Sequence, residues 1–310
     1  MPDDSVKKFS VLEDPGIRDF MIAGANFYPA DAVTFSMAEQ RAFYNRYCVH
    51  FRKTRPPTVE TNDLRIAGVP CRRYVRQGAP AAPLLIYLHG GGFVLGGLDS
   101  HDDVCAEICD AAGIQVVAVD YRLAPEHPFP AAFEDGWAVL QELARTQSRI
   151  ILGGDSAGGN LAAALALKAR DAGGPALSGQ VLIYPGLGGD MTKGSYVSQA
   201  EAPGLSTTDV KYYRGIYQGG GSKYAEPLRE TDYAGLPPAF LVAAGLDPLH
   251  DDCFDYARNL RDAGVPAVVR DEPLLVHAFI RARHMSTPAR AAFDAIIAAC
   301  GALAHNGKLP

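Results

Sequence analysis

Three residues in this sequence have the types and the order that acyl transfer requires. In "RIILGGDSAGGNLAAALALK" an apolar, strand-like run leads directly into Gly154-Asp155-Ser156-Ala157-Gly158, and a helical pattern follows at once. This is G-x-S-x-G, in which a sharp strand-to-helix turn exposes the serine Oγ above a sheet. The flanking glycines are expected because side chains there would collide with the turn. Alone, the five-residue pattern is a weak signal; between a buried strand and a helix it is a strong one. A serine hydroxyl is a poor nucleophile and needs a base, a carboxylate to orient that base, and donors for the oxyanion. Behind such an elbow the acid and then the histidine follow in chain order. "LVAAGLDPLHDD" places Asp247 immediately after a strand, and "LLVHAF" places His277 in the loop after the next. All three side chains would then emerge at one edge of the sheet. Asp251 and Asp252 compete for the acid role, but they fall inside the following helix and read as a charge pair at its N-terminus. His284 competes with His277, yet it follows Arg281 and Arg283 and reads as a solvated helix position.

The oxyanion donors are sought in "LLIYLHGGGFVLGG", residues 84–97. Five apolar residues read as a strand buried on both faces, and His89 with Gly90, Gly91 and Gly92 follows. Consecutive glycines offer nothing to pack, but they let backbone N–H groups approach an oxyanion closely. Gly91 and Gly92, with the N–H of Ala157 beside the serine, are the expected donors. His89 and Gly90 are expected to support that loop, with His89 structural rather than catalytic.

The elements that must position these residues alternate. Strand candidates are 84–89, 114–121, 149–154, 180–185, 239–245 and 267–272, preceded by "LRIAGVPCRRYV" with a Gly-Val-Pro turn. Amphipathic helices lie between them, one with Phe133, Trp137, Leu140 and Ala144 at helical spacing after a permitted N-terminal proline. A last helix carries Phe293, Ile296, Ile297, Cys300 and Leu303 on one face. The fold class expected is α/β, with a mostly parallel central sheet covered by helices on both faces. Two segments break the alternation. Residues 1–52 are rich in aromatics, and residues 187–225 hold the helix-like "STTDVKYYRGIY". Both read as a helical cap over the carboxyl ends of the strands, where open parallel sheets bind ligands. The expected organisation is therefore a first cap segment (1–52), core (53–186), a second cap segment (187–225) and core again (226–310). Tyr212 and Tyr213 in the second cap, Phe93 after the glycine loop and Asp155 beside the serine are the candidates for the pocket wall.

Composition limits the alternatives. The chain has 310 residues, 48% hydrophobic and 21% charged, with a net charge of −6 and no basic block. That argues against nucleic acid or an anionic membrane as partner. The start "MPDDSVKKFS" has no apolar signal region, no apolar run reaches transmembrane length, and the expectation is a cytoplasmic protein without membrane insertion. Six cysteines show no disulfide spacing. Cys105 and Cys109 share a helix face but lack a second Cys/His pair at zinc spacing, so they read as reduced core residues. "GGGFVLGG" lacks G-x-G-x-x-G spacing, "GGGSK" (219–223) lacks Walker spacing, and Ser5-Val6-Lys7-Lys8 matches S-x-x-K without supporting motifs. No metal or organic cofactor is expected.

Taken together, "HGGGFVLGGLDSHD", "YRLAPEHPFPAA", "GDSAGGNLA", "LDPLHDD" and "HAF" resemble the hormone-sensitive-lipase-like branch of the α/β-hydrolases. Within it the chain is similar to the bacterial acetyl esterases. The resemblance covers roughly residues 65–300 and implies the α/β-hydrolase fold. It implies Ser156 as nucleophile, Asp247 as acid, His277 as base and Gly91, Gly92 and Ala157 as the oxyanion hole. Many relatives read His-Gly-Phe where this chain has His277-Ala278-Phe279, a departure shared with the acetyl-esterase branch. The function implied is a serine carboxylesterase acting on small-molecule acetyl to butyryl esters. The alternative is a binding or regulatory protein on the same scaffold, as in a plant hormone receptor that lost its histidine; a complete Ser–Asp–His set favours the enzyme. Oligomeric state is not legible, with a homodimer one option.

Overall fold

The structure, a computed structural model, describes residues 9–29, 31–78 and 83–310; the Ser5–Lys8 pattern lies outside the described residues. Eight strands form one sheet in the order β1-β2-β4-β3-β5-β6-β7-β8. They are β1 (Val59–Ile66), β2 (Val69–Arg76), β3 (Leu84–Leu88), β4 (Gln115–Val119), β5 (Ile150–Asp155), β6 (Gly179–Ile183), β7 (Ala239–Leu246) and β8 (Ala267–Val276). Only β2 runs antiparallel to its neighbours β1 and β4; from β4 to β8 every pairing is parallel. The β1–β2 hairpin turns at Ala67-Gly68, both at positive φ (49° and 84°) as a two-residue hairpin requires. Val69 and Pro70, read from sequence as part of the turn, already pair with Ile66 and Arg65 in the ladder.

The central strands are buried at every position, which is why their sequences show unbroken apolar runs rather than alternation. Successive residues serve opposite faces. Leu84, Ile86 and Leu88 pack with α4 (Ala131–Leu143), α5 (Ala157–Asp171) and α8 (His250–Asp262). Leu85 and Tyr87 pack with α3 (Asp102–Ala112) and α9 (Thr287–Asn306). All six cysteines are buried and free, Cys105 and Cys109 within the α3 contact. Helix α9, at 20 residues and a mean hydropathy of 1.2, is long and apolar enough to cross a membrane, contrary to the sequence expectation. Here its Phe293, Ile296, Cys300 and Leu303 are spent on the sheet.

Two further groups of helices complete the chain. Helices α1 (Pro15–Ala25) and α2 (Met37–Phe51) precede the sheet, while α6 (Ser195–Ser198) and α7 (Thr207–Tyr217) lie between β6 and β7. Ser36 with Glu39 and Ser206 with Asp209 form reciprocal caps that start α2 and α7.

Candidate active site

Strand register brings the candidate residues together. Strand β3 is flanked by β4 on one side and β5 on the other, so consecutive connections leave it in opposite directions and a crevice opens at their carboxyl ends. Leu88 faces Gly154 there, which sets the His89–Gly92 loop beside Ser156. On the other flank, Ala244 faces Glu272 but Leu246 faces Val276, so β8 carries two extra residues around Pro273. Proline is tolerated at such a bulge on an edge strand. The irregularity makes Leu246 and Val276 partners, and hence Asp247 and His277 neighbours.

Ser156 sits between β5 and α5 at φ 54°, ψ −117°, a conformation that side-chain-bearing residues avoid. The turn is tight enough that a Cβ on Gly154 or Gly158 would strike the Leu88 carbonyl, which accounts for both glycines of the pentapeptide. Ser156 Oγ is 3.0 Å from His277 Nε2, and His277 Nδ1 is 2.6 Å from Asp247 Oδ2. Asp247 is wholly buried, and its other oxygen accepts from the Leu249 N–H at 2.9 Å. An ionised carboxylate only accepts, so His277 carries its proton on Nδ1 and presents Nε2 as an acceptor to the serine hydroxyl.

The glycine loop lies on the other side of the serine. Gly91 and Gly92 line the same cavity as Ser156, and their N–H groups donate to no backbone carbonyl among the described residues. Gly92 has φ 62°, and a Cβ there would meet the Tyr213 ring at 2.6 Å. Gly90 N–H donates to Asp155 Oδ1 at 2.9 Å, and the Tyr87 hydroxyl donates to the same oxygen at 2.8 Å. The other oxygen of Asp155 faces His101 Nε2 at 3.2 Å. Burial opposes ionisation of Asp155, but these donors and the charge of Arg281 outweigh it and hold the carboxyl below its usual range. His89 is buried, stacks on Tyr121 at 4.2 Å and bonds the Gly90 carbonyl through Nδ1 at 2.9 Å. Burial pushes its imidazole down to about 4, so it stays neutral. Its contacts are those of a loop support.

The cavity above Ser156 encloses about 530 Å³ and is walled by both segments that break the strand–helix alternation. Tyr28, Tyr44 and Tyr47 come from the first, Ser206 and Tyr213 from the second. The Tyr28 and Tyr213 hydroxyls meet at 3.0 Å, joining the two. Of the four residues expected in the pocket wall, Tyr213 lines the cavity, while Asp155 lines it with its carboxylate already engaged by the loop. Tyr212 does not line it: adjacent helical residues point about 100° apart, and its hydroxyl accepts from Gln40 Nε2 at 2.8 Å. Phe93 turns away and stacks on Tyr217, ring centroids 3.7 Å apart.

Two other expectations need qualification. Asp251 and Asp252 stand in the first turn of α8 as expected, but Asp252 is buried. It is 1% exposed, and its Oδ2 accepts from Leu187 N–H at 2.6 Å and Tyr196 Oη at 3.1 Å, tying the second inserted segment to α8. Burial pushes its carboxyl up to about 6, against the pull of those donors and of Arg214. Asp251 does lie near the surface, but it accepts from the Ser195 N–H at 2.8 Å. His284 is exposed as expected, in a turn rather than a helix, with Glu107 at 2.8 Å. Its neighbours Arg281 and Arg283 are buried, Arg283 between Asp103 and Glu107. Sequence reasoning missed His101 and Arg281. The only signal for either was position: His101 ends the quoted "LDSH", and Arg281 stands one turn beyond His277. Among the described residues no cluster of His, Cys, Asp and Glu could hold a metal ion.

Residues 85–281 match a family model described as alpha/beta hydrolase fold. The chain is 40% identical to "Esterase LipI" of Mycobacterium tuberculosis over 243 residues, 72% of this chain and 76% of that protein. It is 36% identical to "Ethyl acetate hydrolase" of Pseudomonas putida over 220 residues, 66% and 68% of the two chains. Among solved structures, ester-hydrolase EH1AB1 from the metagenome of Lake Arreo superposes with a TM-score of 0.84 at 33% identity, covering 93% of this chain and 98% of the other.

Proposed function

The chain belongs to the α/β-hydrolase-fold family and is a carboxylic ester hydrolase, and from that premise we propose that Ser156, His277 and Asp247 carry the reaction through an acyl-enzyme. The observation that carries this reading is the unbroken series Oγ–Nε2 at 3.0 Å and Nδ1–Oδ2 at 2.6 Å, opening into the cavity of about 530 Å³ above Ser156. An ester carbonyl held about 3 Å from Oγ is in position for attack. As Oγ bonds to the carbonyl carbon, His277 Nε2 takes the hydroxyl proton. The Asp247 carboxylate stays ionised, fixing the tautomer and stabilising the imidazolium. The oxyanion is received by the N–H groups of Gly91, Gly92 and Ala157, the last at the start of α5. Each such donor is worth about 2.7–4 kcal/mol in the transition state. Collapse expels the alcohol, which takes its proton from Nε2. A water, deprotonated by the same nitrogen, then releases the acid and restores the serine.

The segments holding α1–α2 and α6–α7 act as a cap over this cleft. The preferred acyl groups are acetyl to butyryl. Support comes from the tyrosine wall, braced by the Tyr28–Tyr213 contact, and from the short ester in the name of the Pseudomonas putida relative. Hydrolysis of p-nitrophenyl acetate, with loss of activity and stoichiometric modification by an organophosphate, tests the serine mechanism. Turnover that persists after complete modification of Ser156 rules it out.

A further inference from the structure

The wall of the cleft includes an arginine that the proposed reaction does not use. Arg281 is only 5% exposed, yet it lines the cavity with Ser156, His277, Tyr44 and Tyr47. A buried guanidinium is costly unless its charge and its N–H groups are met. Nη1 donates to the Ser100 carbonyl at 2.8 Å, and Nη2 reaches the Tyr44 hydroxyl at 3.0 Å and His101 Nε2 at 3.1 Å. The guanidinium carbon lies 5.4 Å and 5.7 Å from the ring centroids of Tyr44 and Tyr47. The nearest carboxylate in this network, Asp155, stands beyond His101, with its oxygens taken by Tyr87, Gly90 and His101.

Unused donors remain around this charge. Among the described residues, neither Arg281 Nε–H nor the Tyr47 hydroxyl has a protein partner. Both residues line the cavity, Tyr47 only partly buried. A permanent cation and an uncommitted hydroxyl on one cavity wall point to an acceptor that meets both.

We propose that Arg281 and Tyr47 form a subsite for a carboxylate carried on one arm of a short ester, which makes half-esters of dicarboxylic acids or acylated hydroxy acids the substrate class. This rests on the reading of Ser156, His277 and Asp247 as the reacting groups. The unused groups are donors beside a permanent cation, and a carboxylate is the acceptor-only partner that meets several at once. An alkyl end of equal size would leave them unpaired, which is the strongest basis for discrimination an enzyme pocket has. Two acidic residues on the cavity wall, Glu201 and Asp209, do not cancel this preference. Glu201 is exposed and screened, and Asp209 is engaged by Ser206.

Two matched pairs test it. Monoethyl succinate against ethyl 4-methylpentanoate varies the acyl arm, and 3-acetoxypropanoate against 3-methylbutyl acetate varies the alcohol arm. In each pair a carboxylate replaces an isopropyl group of similar shape. For at least one pair, kcat/KM measured by pH-stat should favour the carboxylate by about 10-fold or more, since a lost bond to a charged group costs roughly that much. Tyr47→Phe should cut that ratio severalfold, and Arg281→Met should abolish it. Should Arg281→Met not fold, the conservative Tyr47→Phe variant decides alone. Calorimetric titration of Ser156→Ala with the favoured carboxylate ester and its isostere reads the same preference without turnover, so a wrong triad and a wrong subsite give different results. Equal binding and equal kcat/KM within both pairs, or a ratio that survives Tyr47→Phe, overturns the subsite.

Discussion

Asp252→Asn should make the protein more tolerant of neutral pH, although the substitution removes a charge from the start of a helix. In the folded chain the Asp252 carboxyl is pushed up to about 6 by burial, while an unfolded aspartate titrates near 3.9. Between those values the folded state holds the proton more tightly than the unfolded state. Stability contributed at this position is therefore complete below about pH 4 and is lost as pH rises to about 6. At 1.36 kcal/mol per pKa unit, the loss amounts to about 3 kcal/mol. An asparagine oxygen can still accept from Leu187 N–H and the Tyr196 hydroxyl, so the tie to the inserted segment survives at some fixed cost. That cost does not change with pH, and other titrating groups cancel when the two proteins are compared. Urea unfolding followed through the fluorescence of Trp137, the single tryptophan, gives the stability of each protein from pH 4 to pH 7.5. The variant should gain on the wild type by about 2–3 kcal/mol across that range, with the change concentrated below pH 6.5. A difference that stays flat, or moves the other way, refutes the assignment of Asp252 as a buried carboxyl strained by its own charge.

Other variants separate the reacting groups from their sequence rivals. Asp247→Asn should lower kcat by about 10⁴, because the amide favours the wrong imidazole tautomer, whereas Asp252→Asn should leave turnover of p-nitrophenyl acetate within a few fold. His277→Ala should cost on the order of 10⁶ in kcat, and His284→Ala, on the surface beside Glu107, should cost almost nothing; the reverse order moves the base elsewhere. Across a p-nitrophenyl ester series below micelle-forming concentrations, each methylene that fits adds about 0.8 kcal/mol. The first methylene that meets the tyrosine wall should then cost about 1–3 kcal/mol. The maximum is expected between acetyl and butyryl, and a maximum at octanoyl or beyond refutes the closed pocket while sparing the triad.

The elbow was legible because chemistry and backbone geometry restrict the same five residues. Gly154 and Gly158 face the Leu88 carbonyl, and no other residue type fits there. Unbroken apolar runs gave away the central strands, and helical spacing of apolar residues the faces of α3 and α9, for a similarly local reason. What escaped depended on how distant segments dock. Tyr212 and Tyr213 are equivalent in sequence, and only the placement of α7 against Gln40 and the glycine loop separates them. The burial of Arg281, Arg283 and Asp252 escaped because charged residues are usually solvated; each has partners from segments more than 60 residues away, which no local pattern announces. The two extra residues of β8 beside Pro273 had a local mark in the proline itself, but their consequence, the pairing of Leu246 with Val276, is a property of the sheet.

Rapid-quench mass spectrometry during turnover of p-nitrophenyl acetate tests the central claim most directly. If Ser156 attacks the ester with His277 as its base, enzyme stopped within the first turnovers carries one acetyl group. Peptide mapping then places it on the segment 154–158, at Ser156, and Ser156→Ala carries none while losing about 10⁶ in kcat. An acetyl group at another residue, or full turnover in the Ser156→Ala protein, contradicts the account.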